Sequence, residues 1–156
     1  MEMTRREFTV AASRGAVVAA QATAISTASA DAATSNLRST TGLLPKQGIA
    51  KFAEANGIRL HYVTTGTGPA VILLHGWPQT WFAWRNAMER LASHFTVIAP
   101  DLRGVGLSEK TPTGYDKRTI AEDVRGLIGH AAGDRAHVVA HDMGGKAAYI
   151  LAHLYP

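Results

Sequence analysis

A chain of 156 residues holds one domain and not two, and 46% hydrophobic with 18% charged residues is a globular rather than a disordered composition. The net charge of +4 is scattered without a basic block or a binding motif, so no nucleic-acid partner is expected. Cysteine is absent, which excludes thiol nucleophiles, disulfides and cysteine-ligated metals.

The first thirty residues differ in composition from the rest. Thr4-Arg5-Arg6-Glu7-Phe8-Thr9-Val10 resembles the twin-arginine export motif, and an alanine-rich apolar stretch from Gly15 to Ile25 follows. That stretch is too short and too weakly apolar to span a bilayer and remain there. Ala28-Ser29-Ala30 then offers a small-x-small cleavage site. Residues 1–30 are therefore expected to be a twin-arginine signal peptide that sends the protein to the periplasm or outside the cell. The Ser/Thr-rich, aperiodic residues 31–48 read as a linker, and residues 49–156 as the folded core.

Within that core, Ile49–Ala55 and Ile58–Thr65 read as two strands joined by Asn56-Gly57, a pair that takes the positive φ angles of a type I′ turn. Ala70–Leu74 is a continuous apolar run, as suits a strand covered on both faces. Thr80–Ser93 reads as a helix with Trp81, Trp84, Met88 and Leu91 on one face. Phe95–Ala99 is the next buried strand, and the glycine-punctuated loop after it contains Asp101-Leu102-Arg103-Gly104-Val105-Gly106-Leu107-Ser108. This loop lacks the lysine of a P-loop and the spacing of a dinucleotide fingerprint. It reads as a turn fixed by glycines and an Asp–Arg contact. A helix is expected to begin near Thr119, where Thr119-Ile120-Ala121-Glu122 matches a capping box. Ala136–Ala140 is the last strand and Gly144–Tyr155 the last helix. Alternating strands and helices predict an α/β fold with a largely parallel sheet and flanking helices.

Two motifs carry chemistry. Ala140-His141-Asp142-Met143-Gly144 has small residues on both sides of an acidic one at a strand-to-helix junction, the pattern of a nucleophile elbow. A carboxylate is ionised at neutral pH and needs no base for its first attack, so it can open an epoxide or displace a halide as an alkyl ester. On its own Asp142 could equally cap the helix that follows. His75-Gly76-Trp77-Pro78 directly follows the apolar strand ending at Leu74, where an oxyanion loop belongs. The backbone N–H groups of Trp77 and Met143 would there hold a developing negative charge. His75, Gly76, Pro78, His141 and Gly144 are read as residues that shape the loop and elbow. His61, His94, His130, His137 and His153 have no ligand spacing around them, and neither a metal nor another cofactor is expected.

In this order the motifs resemble the α/β-hydrolase superfamily, and within it the branch of soluble epoxide hydrolases and haloalkane or haloacetate dehalogenases. The resemblance runs from about Ile49 to Pro156. Pro78 and Met143 look more like epoxide hydrolases; dehalogenases of the haloalkane type usually carry asparagine at the position of Trp77 and tryptophan at that of Met143. Ala140 departs from the glycine more usual in the family. The resemblance implies Asp142 as nucleophile, an alkyl-ester intermediate and a small apolar epoxide or halide as substrate. It also implies a later acid, a later histidine base and a helical cap domain with proton-donating tyrosines, all of which would lie beyond Pro156. The chain is thus expected to be the N-terminal half of such a fold, unable to turn over substrate. The other expectation is a non-catalytic remnant or interaction module that self-associates through the exposed edge of its last strand.

Overall fold

The structure is a computed structural model that describes residues 41–156. The expected signal peptide and residues 31–40 of the expected linker lie outside the described residues. Five strands, β1 (Ile49–Ala55), β2 (Ile58–Thr65), β3 (Ala70–Leu74), β4 (Thr96–Pro100) and β5 (His137–Ala140), form one sheet in the order β1-β2-β4-β3-β5. Helices α1 (Arg85–Leu91), α2 (Lys117–Ala131) and α3 (Met143–Leu154) flank it. β2 is antiparallel to both β1 and β4, whereas β3 is parallel to β4 and β5. Four strands therefore run one way and β2 runs against them, in agreement with the expected α/β, largely parallel architecture. Among the described residues no helix is long and apolar enough to cross a membrane.

Side-chain alternation along the strands divides the core in two. Leu60, Tyr62, Ile72, Leu74 and Ile98 face α2 and α3, where Ile120, Val124, Leu127 and Leu151 cover them. Val63, Val71, Leu73, Val97 and Ala99 point the other way, onto Trp81 and Met88. The period of two in the strands and the apolar stripe of α2 are the same burial requirement met by two backbone geometries. β5 lies at the edge of the sheet with only β3 beside it, and Val139 on it is 46% exposed.

Asn56 and Gly57 have φ of 49° and 74°, the two positive values the β1–β2 turn requires. Three local expectations are corrected. The helix expected over Thr80–Ser93 is a 3₁₀ turn, Trp81–Trp84, followed by the shorter α1. Its first N–H groups are diverted, that of Trp81 to Asp101 Oδ1 at 2.9 Å and that of Phe82 to the Thr80 hydroxyl at 3.3 Å, which tightens the entry. α2 begins at Lys117, not Thr119, because Asp116 caps it by accepting from the N–H groups of Arg118 and Thr119. Thr119 instead donates its hydroxyl to Asp116 Oδ2 at 2.6 Å. Finally, residues 41–48 of the expected linker are docked, with Leu44 packed against the second core cluster and the Lys46 carbonyl accepting from the Thr65 hydroxyl at 3.0 Å.

The expected Asp–Arg contact joins other residues than the loop suggested. Arg103 pairs in a two-pronged manner with Asp123 of α2, Nε to Oδ2 at 2.8 Å and a terminal nitrogen to Oδ1 at 2.7 Å. Asn56 adds its amide to Asp123 Oδ1 at 2.8 Å, so one carboxylate ties the hairpin turn, the long loop and α2 together. Both ionic partners are buried. Removing one of them strands the other's charge away from water, and Asp123→Ala is expected to lower stability by about 3–5 kcal/mol. Urea unfolding measures this; a loss below ~1 kcal/mol, the range of a surface pair, would show that the bridge does not hold the loop.

Candidate active site

The parallel strands bring three carboxyl-terminal ends together, and the chemistry-bearing residues sit on them. His75 follows β3, Asp101 follows β4, and Asp142 follows β5. Carboxyl ends of parallel strands, flanked by helix N-termini, are where α/β sheets place their ligands. A concavity of about 1330 Å³ lies elsewhere. Pro69, Ala70, Ala136 and His137 line it at the opposite ends of β3 and β5, and it contains no residue of either motif.

Asp142 stands on the elbow itself, with φ 51° and ψ −113°, a backbone that side chains with a Cβ rarely adopt. The turn is held by His141 N–H on the Leu74 carbonyl at 3.0 Å and Gly144 N–H on the His75 carbonyl at 3.1 Å. Gly144 has to be small: a Cβ there would lie 2.6 Å from the Leu74 carbonyl oxygen and 2.7 Å from that of His75. Gly76 is constrained in the same way from the other side, since its Cβ would fall 2.7 Å from that of Asp142. Two glycines therefore let the β3 loop and the elbow approach within hydrogen-bonding distance. Asp142 is the N-cap residue of α3 by position, but its side chain makes no capping hydrogen bond.

The Trp77 N–H donates to Asp142 Oδ2 at 2.9 Å. This bond, followed by the Met143 N–H, holds the Asp142 carboxyl below the usual carboxylate range. The Met143 contribution acts in the same direction although its geometry falls short of a hydrogen bond. Lys146 and His141 add weaker positive influence. Of the two N–H groups named from the sequence, that of Trp77 thus bonds the carboxylate, which is exposed.

His75 is buried, and its two ring nitrogens are both occupied. Nε2 accepts from the Leu102 N–H at 3.0 Å, so the proton is on Nδ1, which donates to the Gly76 carbonyl at 2.9 Å. Burial pushes its pKa down, consistent with a neutral ring that shapes the loop and has no free nitrogen for base chemistry. Trp77 and Pro78 are exposed and joined by a cis peptide bond. His141 is exposed, with its ring edge beside Gly76. The hydrogen bonds to the Asp142 carboxylate among the described residues come from the main chain and not from a histidine.

Reading the sequence missed one pair. His61, set aside for want of a motif, is wholly buried with Nδ1 2.8 Å from Asp101 Oδ2. Nothing in the local sequence of β2 signals it, because the register that sets Tyr62 opposite Pro100 is a tertiary fact. Among the described residues no group of three or more His, Cys, Asp or Glu is placed to hold a metal.

Comparison with known proteins bears on the fold that carries these residues. The profile of the alpha/beta hydrolase fold family matches residues 69–156. The soluble epoxide hydrolase of Corynebacterium sp. (strain C12) is 56% identical over 101 residues, covering 65% of this chain and 35% of that protein. A fluoroacetate dehalogenase from Burkholderia sp. is 36% identical over 112 residues, covering 68% of this chain and 36% of its own. Among solved structures, the epoxide hydrolase CorEH without ligand superposes with a TM-score of 0.67 at 53% identity over 69% of this chain and 38% of that one. An epoxide hydrolase from Vigna radiata gives 0.69 at 32% identity, over 71% and 36%. The chain spans a little over a third of the length of these relatives.

A carboxyl whose folded pKa is depressed contributes stability above its unfolded pKa and loses it as pH falls through the folded value. Asp142 is expected to titrate below the ordinary carboxylate range, and Gly76→Ala to raise its pKa by forcing the Trp77 N–H away. Carboxyl ¹³C NMR across the acid range checks both; a Gly76→Ala titration identical to the parent's would mean that the Trp77 bond is not the cause.

Proposed function

The chain belongs to the α/β-hydrolase fold family, and from that membership we propose that it carries the nucleophile of an epoxide-hydrolase-like enzyme. The observation that carries this reading is the 2.9 Å bond from the Trp77 N–H to Asp142 Oδ2 on a backbone that aims an ionised carboxylate outward. With Oδ2 held, Oδ1 is the oxygen free to attack. It forms a bond to an epoxide carbon, the carbon–oxygen bond of the ring breaks, and the electron pair stays on the leaving oxygen, which takes a proton from water and leaves hydroxide. Oδ2 then becomes the carbonyl oxygen of the ester. When water adds to that carbonyl, negative charge gathers on Oδ2, the atom to which the Trp77 N–H donates, with the Met143 N–H as second donor in this reading; one such donor is worth about 10²–10³-fold.

Breaking the ester needs an activated water, and a positioned base contributes about 10²–10⁴-fold to such a step. His75 has no free nitrogen for it, and no described histidine hydrogen-bonds the Asp142 carboxylate. The 156-residue chain is therefore expected to label itself once on Asp142 and to release little product. Mass spectrometry after incubation with a styrene-oxide-type epoxide should find one adduct, absent from Asp142→Ala. Sustained product formation lost on Asp142→Ala would show that a base comes from this chain or a second copy. The same assay with small halides tests the alternative of dehalogenation: adducts from halides in preference to epoxides would favour it, against the epoxide-hydrolase likeness of Pro78 and Met143.

The reading includes export. The ordered set of Arg5-Arg6, Phe8, the alanine-rich stretch and Ala28-Ser29-Ala30 supports a twin-arginine signal over residues 1–30. Changing Arg5 and Arg6 together to lysine should hold a fused reporter in the cytoplasm, as cell fractionation would reveal; undiminished export of that double variant would remove the claim.

A further inference from the structure

The Trp77 N–H can hold Asp142 only if the loop that carries it is held too. Residues 76–80 leave the sheet after His75 and rejoin regular structure at Trp81, and Trp77 in the middle is 68% exposed. Inside the loop, Gln79 N–H donates to the Gly76 carbonyl at 2.9 Å, and Gly76 N–H to Gln79 Oε1 at 3.2 Å. These bonds close the loop on itself without fastening it to the core. The fastening is at its two ends. On one side His75 Nε2 accepts from Leu102 N–H at 3.0 Å. On the other, Trp81 N–H donates to Asp101 Oδ1 at 2.9 Å. Asp101 and Leu102 are consecutive, so both ends of the loop hang from one short piece of chain at the end of β4.

Asp101 is built in on every side. It is 1% exposed, and its Oδ2 accepts from His61 Nδ1 at 2.8 Å and from Leu107 N–H at 2.9 Å. Its N–H donates to the His61 carbonyl at 2.9 Å, and its carbonyl accepts from the Ser108 hydroxyl at 2.6 Å. Ser108 Oγ in turn accepts from His61 N–H at 2.9 Å. Gly106 leaves room for the carboxylate, which any Cβ there would strike. His61 pays for its place: its Nε2 is buried with no partner among the described residues, an unfavourable state for a polar atom. A residue kept under that penalty for its single side-chain bond to Asp101 points to what the bond secures.

We propose that Asp101, held by His61, is a positioning residue for the nucleophile: it fixes the segment from which both ends of the 76–80 loop hang, and so sets where the Trp77 N–H meets Asp142. The inference rests on the reading of Asp142 as nucleophile, but the contact it explains exists independently of that reading.

Asp101→Asn in the 156-residue chain tests it, because the new amide group turns a donor toward donors that Oδ2 now accepts from. Two effects on Asp142 then have opposite signs. Deleting a nearby negative charge lowers the Asp142 pKa, whereas withdrawing the Trp77 N–H raises it. The expected result is an upward shift by carboxyl NMR, with hydrogen exchange at the Trp77 amide faster by roughly tenfold or more while the β3 amides keep their protection. Labelling of Asp142 by the epoxide should slow by roughly tenfold or more, because a carboxylate no longer held in one orientation attacks less often along the productive line. His61→Gln, which keeps a donor for Asp101, should give smaller changes in the same directions. Asp116→Ala, which removes a charge and a helix cap elsewhere, should move none of the three. A downward or absent shift with unchanged Trp77 exchange overturns the proposal. Failure of both Asp101→Asn and His61→Gln to fold overturns it as well, since Asp101 would then serve the whole core. A parent chain that never labels, beside variants that shift and exchange as expected, would remove the nucleophile reading and leave the positioning role standing.

Discussion

The elbow at Asp142 is the constraint on which the rest of the site depends. A residue with a Cβ at φ 51° and ψ −113° does not hold that conformation unaided; its surroundings must over-determine it. Here they do so through main-chain bonds from His141 and Gly144 to the carbonyls of Leu74 and His75. The two consecutive carbonyls that terminate β3 therefore brace the turn that follows β5. That is possible only because β3 and β5 are parallel neighbours with Leu74 opposite Ala140, which brings both strands to an end at the same level.

Close approach is then a matter of volume. Gly76 and Gly144 face the elbow from two directions, and a methyl group at either would occupy the space of Asp142 or of the β3 carbonyls. With both absent, the β3 loop lies against Asp142, and the Trp77 N–H reaches its carboxylate without a side chain as intermediary. Main-chain donors suit this task because they are not titratable and are as rigid as the loop that carries them. His75 ties the loop at one end through both ring nitrogens, and the Trp81 N–H ties the other end to Asp101 Oδ1.

Buried polar groups on this side of the sheet are arranged in pairs that each join distant segments. His61–Asp101 connects β2 to the end of β4, and Arg103–Asp123 connects the long loop to α2. Neither pair touches Asp142. Both tie down the loop that follows β4, at Asp101 and at Arg103, and the Leu102 N–H between them joins that loop to His75. The β5 edge is built differently: Val139 is exposed, and the strand has a partner on one side only.

The sequence by itself determined the sheet, its direction and the elbow. Apolar runs at Ala70–Leu74 and around Val97 cannot be exposed, Asn56-Gly57 imposes one turn type, and small residues around Asp142 permit one sharp junction; all of these are local requirements. It also put the loop after Leu74 at the same end of the sheet as Asp142, because a strand-end position follows once the strands are parallel. Helix beginnings were less legible. Thr119 and Asp116 are both good capping residues, and Trp81 loses its first helical bond to a residue twenty positions away, so the competition was decided by the fold. The partners of Asp101 and Arg103 were beyond the sequence altogether. Both residues stand in one glycine-rich loop where their mutual contact is the nearest explanation, yet His61 and Asp123 reach them from a neighbouring strand and a later helix. Pairings of that kind depend on register and packing across the sheet, and only the tertiary structure fixes those.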